Sequence, residues 1–322
     1  MRLGTIVRAA NLLVANPSQF VRKIADRLVP LPARPIGRTL ASGYMSASAV
    51  NIKQAVRSAV PTRVWNWLRV LRIRYTILAS RRRRERHNYG GFSLNVEIGD
   101  PIGRGWYDHD WPELPEVAVL RRYGLRPGAT VFDVGAHQCI VAMMLSKVVE
   151  PGLVVAVEGN RYNASVGRRN VESNGIGNLR VIHGAGGAKS GTVTFTENWN
   201  GQVNSGAPDA GSVQVRCYTI DELSRLFGRP QVLFIDVEGY EGEVLVGASD
   251  TLSSFPDCFV EVHVGAPLET FGATAETILA FFPAEHYRLF VRIAEDEQFR
   301  ELQAGEITPK VRFFLLAIAR VF

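Results

Sequence analysis

The stretch TVFDVGAHQCIVAMMLSKVVEPGLVVAVEGN, residues 130–160, decides the fold. An apolar run ends at Asp133 and Gly135, an apolar segment of helical length follows, and a second apolar run ends at Glu158. Short apolar runs on either side of such a segment read as strands at 130–134 and 153–158, buried on both faces, with a helix over 138–148 between them. Strand, glycine turn, helix and acid-terminated strand together predict a nucleotide-type ligand site at the carboxyl ends of a doubly wound sheet.

Working outward, the periodicity predicts further strands at 179–183, 192–196, 213–216, 231–236, 258–263, 287–293 and 311–320. Helices are expected at 161–174, 219–227, 240–252 and 273–282. Upstream, NYGGFSLNVEIGDP (88–101) reads as a hairpin with turns at Gly90–Gly91 and Gly99–Asp100, and PEVAVLRRYGL (115–125) as a helix stopped by Gly124 and Pro127. Alternating strands and helices imply an α/β fold: a Rossmann-like mixed sheet with helices on both faces and antiparallel strands at one edge. ENWNGQVNSGAPDAGS (197–212) is a surface loop by composition and a candidate cover for a ligand.

The chain has 322 residues, 46% of them apolar, enough for one large domain with an appendage. Its formal charge of +6 conceals a division. Residues 1–88 hold 18 Lys/Arg and 2 Asp/Glu, a balance of +16, whereas residues 89–322 hold 19 and 29, a balance of −10. We therefore expect a basic, partly helical leader (1–88) and an acidic body (89–322). Helices are plausible in the first thirty residues and over 64–79, and the run Arg81–Arg84 closes the leader. No stretch is long and apolar enough for a membrane span, and no signal-peptide core is evident. A lipid-surface contact, a docking arm and an organelle presequence remain readings of the leader; nucleic acid is disfavoured for want of an aromatic-basic groove motif or a zinc module. These features point to a cytoplasmic protein, and leave a peripheral membrane contact through residues 1–88 and a homo-oligomer open. Cys139, Cys217 and Cys258 have neither disulfide-framework nor zinc-site spacing.

Three motifs carry chemistry. In DVGAHQC, Gly135 allows close backbone approach, and Asp133 is an acceptor or a helix cap. Glu158, at the next strand end, suits the two hydroxyls of an adenosine ribose. The loop lacks the full GxGxxG of a pyrophosphate cradle, and an aspartate suits a sulfonium or ammonium group better than a phosphate. S-adenosylmethionine is therefore the expected cofactor, and a nicotinamide-dependent oxidoreductase the rival reading. VLFIDVEGYEGEVLVGA (232–248) ends a strand at Asp236 and Glu238 and opens a helix at Glu241; such acids can orient or deprotonate a hydroxyl, or bind a hard cation. CFVEVHVGA (258–266) puts Glu261 and His263 on one face of a strand, and His263 can take a proton near neutral pH.

With these pieces in place, residues 90–320 resemble the FkbM-type S-adenosylmethionine-dependent methyltransferases. The likeness rests on GDPIGRGWYDHDWPELPE, RPGATVFDVGAH, LVVAVEGN, RYNASVGRRNVESNG, YTIDEL, IDVEGYEGEVLVGA and VEVHV, in that order. The chain departs from the family pattern at His137, Cys139, Gly159 and Phe234. The resemblance implies a class I methyltransferase fold and methylation of a hydroxyl on a sugar, glycolipid or other natural-product intermediate. A docking module with a degenerate body is the non-enzymatic alternative. Asp133, Gly135, Ala136, His137, Glu158, Gly159 and Asp236 are the expected cofactor set. Asp236, then His263, are the expected bases, with Glu238 beside them. Arg104, Trp106, Asn204, Glu241 and Glu261 are the expected substrate contacts, in a pocket formed by 104–116, 197–206, 236–241 and 261–265. No metal ligands are assigned, although a divalent ion remains open. The acceptor is expected to be a small molecule bearing a hydroxyl, either a saccharide or a lipid-linked compound.

Overall fold

The central strands β3 (Val131–Val134), β4 (Val154–Glu158) and β10 (Val232–Ile235) are buried along their whole length. Their side chains alternate between two cores. Val131, Val154 and Val232 enter one, while Phe132, Val155 and Leu233 enter the other. A run apolar at every position is what a strand covered on both faces requires. The computed structural model describes residues 83–196, 201–204, 212–265, 267–293, 298–303 and 309–320. The leader helices expected before residue 83, and most of the loop 197–212, lie outside the described residues.

Among the described residues an eight-stranded sheet runs β13 (Arg300–Glu301), β12 (Tyr287–Arg292), β14 (Phe313–Ala319), β11 (Asp257–Val262), β10, β3, β4, β5 (Leu179–His183). The five strands from β11 to β5 are parallel. β14 inserts antiparallel between β11 and β12, giving the expected antiparallel edge. From β3 the chain steps to β4 and β5 on one side, and later returns to β10 on the other. The gap between the ends of β3 and β10 is thus a topological switch point, where open α/β sheets bind ligands.

Helices cover both faces. α3 (Ile140–Val149) joins β3 to β4, and α4 (Arg161–Ser173) joins β4 to β5. The side chain of Asn160 caps α4 by accepting the N–H groups of Tyr162 and Asn163. α5 (Ile220–Phe227) is capped by Thr219 in the same way. The single helix expected over 240–252 is two, α6 (Glu241–Val246) and α7 (Ser249–Leu252), because Gly247 packs against the backbone of Gly187 and Asp221 caps a new start. α8 (Ala275–Leu279) is shorter than expected.

Two further findings concern the sheets. The strands expected at 192–196 and 213–216 do not join the main sheet. As β7 (Gly191–Thr196) and β9 (Ser212–Tyr218) they form a separate four-stranded sheet with β6 (Ala185–Gly186) and β8 (Gln202–Val203). The hairpin also begins earlier than the expected segment 88–101. β1 (Arg83–Tyr89) pairs antiparallel with β2 (Phe92–Ile98), so residues 83–88 are paired with the body.

The spaced asparagines of α4 fasten this hairpin. Asn170 Oδ1 accepts the N–H of Glu97 at 2.6 Å, and its Nδ2 donates to the Glu97 carbonyl at 3.1 Å. Asn174 does the same with Asn95, at 2.8 and 2.7 Å. Four helical residues rise about 6 Å, and two strand residues advance about 6.6 Å. Each side-chain amide therefore pairs with alternate strand residues as a neighbouring strand would. The fastening places the end of β2 against the carboxyl edge of the main sheet. From there α1 (Pro101–Tyr107) and α2 (Pro115–Tyr123) follow.

Candidate active site

A cavity of about 260 Å³ opens at the switch point. Its floor is the turn after β3. Gly135 has φ 94°, in the region that favours glycine, and a side chain there would overlap the carbonyl oxygen of Asp236. The close approach expected between Gly135 and a ligand is therefore also an approach between two strand ends. Gly135 N–H donates to Val157 at 2.8 Å, and Asp236 N–H to Val134 at 2.9 Å, so the three strand ends are tied together.

Asp133 is 2% exposed, lines the cavity, and its Oδ2 has no hydrogen-bond partner among the described residues. Burial, then the charge of Glu158, pushes its carboxyl up to about 7. Glu158 Oε2 accepts the N–H of His137 at 2.7 Å, and its Oε1 that of Asn160 at 2.6 Å. Each oxygen keeps a second lone pair for a ligand hydroxyl. Burial raises Glu158 too, to about 7, against the opposing charge of His137. An uncompensated buried carboxylate is costly, and a cationic ligand removes that cost.

His137 is held in a left-handed conformation, φ 48°, with Nε2 3.0 Å from Asp100 Oδ2. Asp100 also caps α1 through Ile102 and Gly103, and accepts from Gln138. Burial opposes charging His137, but the Asp100 hydrogen bond and charge win and raise it. Cys139, standing where the resemblance expects glycine, fits because its Sγ packs where Gly167 of α4 has no side chain. Gly159 and Gly201 both face the ring of Phe195, which walls the cavity beyond Glu158.

At the other end of the cavity lie Asp236, Glu238 and Glu261, with Trp106, Tyr107 and Trp111. Burial, then the charges of Glu261, Glu238, Glu241 and Asp133, raises Asp236 well above the usual carboxylate range. Glu261 is raised as well, chiefly by burial, and pairs with Arg312 at 2.9 Å. Burial, then Glu116, Asp236, Asp133 and Glu261, pushes the Tyr107 phenol up. His263 lies just behind this wall, Nε2 3.5 Å from Glu238 and Glu261, and is raised by Glu241, Glu261 and Glu238 despite burial.

The cavity thus gathers Asp133, Gly135, Ala136, His137, Glu158, Gly159, Asp236, Glu238, Glu261 and Trp106 from the expected set. Three expected substrate contacts lie elsewhere. Arg104 is exposed on α1, outside the lining. Asn204 reaches Ser212 at 3.4 Å. Glu241 is fully buried and binds His263 instead. Residues that sequence reasoning missed include Phe195, Arg292 and Arg312, brought in from the small sheet and the antiparallel edge. Phe234, where the resemblance expects lysine, stacks on Phe259 with ring centres 4.3 Å apart, so the cations at this end come from Arg292 and Arg312.

This arrangement belongs to the Rossmann-like class of methyltransferase folds. Residues 133–289, just under half of the chain, match the methyltransferase FkbM domain, a family of S-adenosylmethionine-dependent methyltransferases. The match is narrower than the 90–320 of the motif resemblance and omits the hairpin and the segment 99–116 that follows it. Among curated proteins none matches the chain. Among solved structures, the methyltransferase FkbM of Methylobacillus flagellatus is 17% identical with a TM-score of 0.40, over 59% of this chain and 43% of that one. The chain thus spans less than half of that protein. A SAM-dependent methyltransferase of Aquifex aeolicus is 19% identical with a TM-score of 0.37, over 68% and 93%. A Streptococcus mutans protein described as a putative methyltransferase in complex with SAH is 11% identical with a TM-score of 0.39, over 64% and 98%. Among the described residues no helix is long and apolar enough to cross a membrane.

Proposed function

We propose that the chain moves the methyl group of S-adenosylmethionine to a hydroxyl of a saccharide, glycolipid or other natural-product intermediate. The observation that carries this reading is the buried Asp133 carboxylate, unpartnered at Oδ2, in a cavity shared with Glu158 and Asp236. Asp133, Glu158 and Asp236, at the ends of neighbouring strands, favour a ligand with ammonium and sulfonium charges and repel a pyrophosphate. That is also the argument against a nicotinamide cofactor.

When bound, the cofactor supplies an electrophilic methyl group. Asp133 faces its cationic end, Glu158 takes the ribose hydroxyls, and Ala136, His137 and Gly159 border it. Trp106, Tyr107 and Trp111 offer ring faces to the acceptor, and Glu116, Asp236 and Glu261 offer oxygens to its hydroxyls. Aromatic walls with a few convergent polar groups suit a polyhydroxylated ring. Asp236 receives the hydroxyl proton, and alignment contributes most of the acceleration. The basic leader favours an anionic lipid surface, and with it a lipid-linked acceptor.

The test is methyl transfer from S-adenosylmethionine, labelled in the methyl group, to a panel of saccharides and glycolipids. Label transferred to hydroxyl oxygen supports the reading. Transfer confined to amine acceptors overturns it.

A further inference from the structure

The two ring nitrogens of His263 keep different company. Nδ1–H donates to Glu241 Oε1 at 2.8 Å, and that oxygen also accepts the N–H of Gly239 at 2.8 Å. Glu241 is fully buried. Nε2 is thereby turned toward Glu238 Oε2 and Glu261 Oε1, each 3.5 Å away, and Asp236 Oδ1 at 4.0 Å. Asp236, Glu261 and His263 each bring one ligand atom to within 4.8 Å of the others. A histidine fixed at one nitrogen by a buried carboxylate, with the other nitrogen facing oxygen donors, is the geometry in which an outer carboxylate orients a metal ligand.

Two observations separate this cluster from a closed ion-pair network. Oδ1 of Asp236 is shielded from solvent and has no hydrogen-bond partner among the described residues. Asp133, 2% exposed and likewise unpartnered at Oδ2, lines the same cavity and adds its charge to the field at Asp236. The charges do not balance either. Asp236, Glu238, Glu241 and Glu261 surround one imidazole, and Arg312 is engaged at Glu261 Oε1.

We propose that Asp236, Glu261 and His263 form a site for a divalent cation of the Mg²⁺/Mn²⁺ class at the acceptor end of the cavity. Carboxylates with one imidazole suit such ions. Each ligand offers one atom, so Asp236 keeps its second oxygen. The site stands on this geometry alone; its role rests on the methyl-transfer reading. In that role the acceptor oxygen coordinates the ion and becomes more acidic. Its proton passes to the second oxygen of Asp236, the O–CH₃ bond forms as the S–CH₃ bond breaks, and the sulfur leaves as a neutral thioether.

The test uses the full chain, stripped with a chelator and titrated with Mn²⁺ alone. Free Mn²⁺ is read by electron paramagnetic resonance, and S-adenosylhomocysteine binding is measured on the same samples by calorimetry. We expect one equivalent bound, weakened at least tenfold by His263→Ala and by Glu261→Gln, with both variants still unfolding cooperatively on heating. A surface control, Glu113→Gln, leaves Mn²⁺ binding unchanged. Failure to bind Mn²⁺ at millimolar concentration, or binding that both variants retain in full, overturns the site. Mn²⁺ bound as expected by a chain that ignores S-adenosylhomocysteine upholds the site and removes the methyl-transfer reading instead.

Discussion

Replacing Asp133 by asparagine should stabilise the ligand-free chain in a pH-dependent way while weakening cofactor binding. Burial and Glu158 raise the Asp133 carboxyl from an ordinary 3.8 to about 7. A raised acid favours the folded state most below its unfolded value, and that advantage is lost as pH climbs to the folded value. Between pH 5 and pH 7 the unfolded chain has released this proton and the folded chain still holds it. Each pH unit of that interval costs the native state about 1.4 kcal/mol, so roughly 3 kcal/mol disappears by pH 8. The side-chain amide of Asp133→Asn does not titrate, so the variant loses nothing over the same range. Glu158 titrates in both proteins, so its contribution largely cancels in the comparison. Urea unfolding of both proteins at pH 5 and pH 8 should thus show the variant gaining by up to about 3 kcal/mol relative to wild type across the interval. The same substitution removes a charged partner of the ligand's ammonium group, and should weaken S-adenosylmethionine by tenfold or more. A stability difference that does not change with pH, or a variant that binds the cofactor as tightly as wild type, would refute the reasoning.

Other substitutions probe separate parts of the account. Gly135→Ala forces a side chain at φ 94° into the carbonyl of Asp236; expect a loss of more than about 2 kcal/mol in denaturant and no measurable cofactor binding. A soluble variant with normal affinity would show that the strand ends can separate freely. Asn170→Ala strips partners from the backbone N–H and carbonyl of Glu97, and should cost about 1–3 kcal/mol by urea unfolding. A change below about 0.5 kcal/mol would mean the hairpin is held by other contacts. Asp236→Asn should lower turnover by about 10²-fold or more, with S-adenosylhomocysteine affinity within threefold of wild type. An unchanged methyl-transfer rate would remove Asp236 from the proton's path.

The parallel sheet was legible because burial on both faces leaves an unbroken apolar run, as in Val154–Val157 and Val232–Ile235. Asp133, Glu158 and Asp236 were legible for the same reason: each is the acid that ends such a run. The small sheet was not, since β7 alternates like any half-buried strand and nothing local says which sheet it joins. Phe195, Arg292 and Arg312 reach the cavity by long-range pairing, for which the chain holds no local signal. Glu241 misled for another reason. An acid at a helix start usually faces solvent or ligand, whereas this one is turned inward by His263, a contact between residues 22 apart. Arg104 was expected to hold substrate because a guanidinium suits an acidic or phosphorylated group, yet it is exposed on α1 and lies outside the cavity lining.

The most direct test is calorimetric titration of the full chain with S-adenosylmethionine and S-adenosylhomocysteine, with NAD as the control. Micromolar binding of both sulfur ligands at a single site, abolished by Glu158→Ala and absent for NAD, is the predicted result. Binding of NAD alone, or of no ligand by a chain that unfolds cooperatively, would contradict the account.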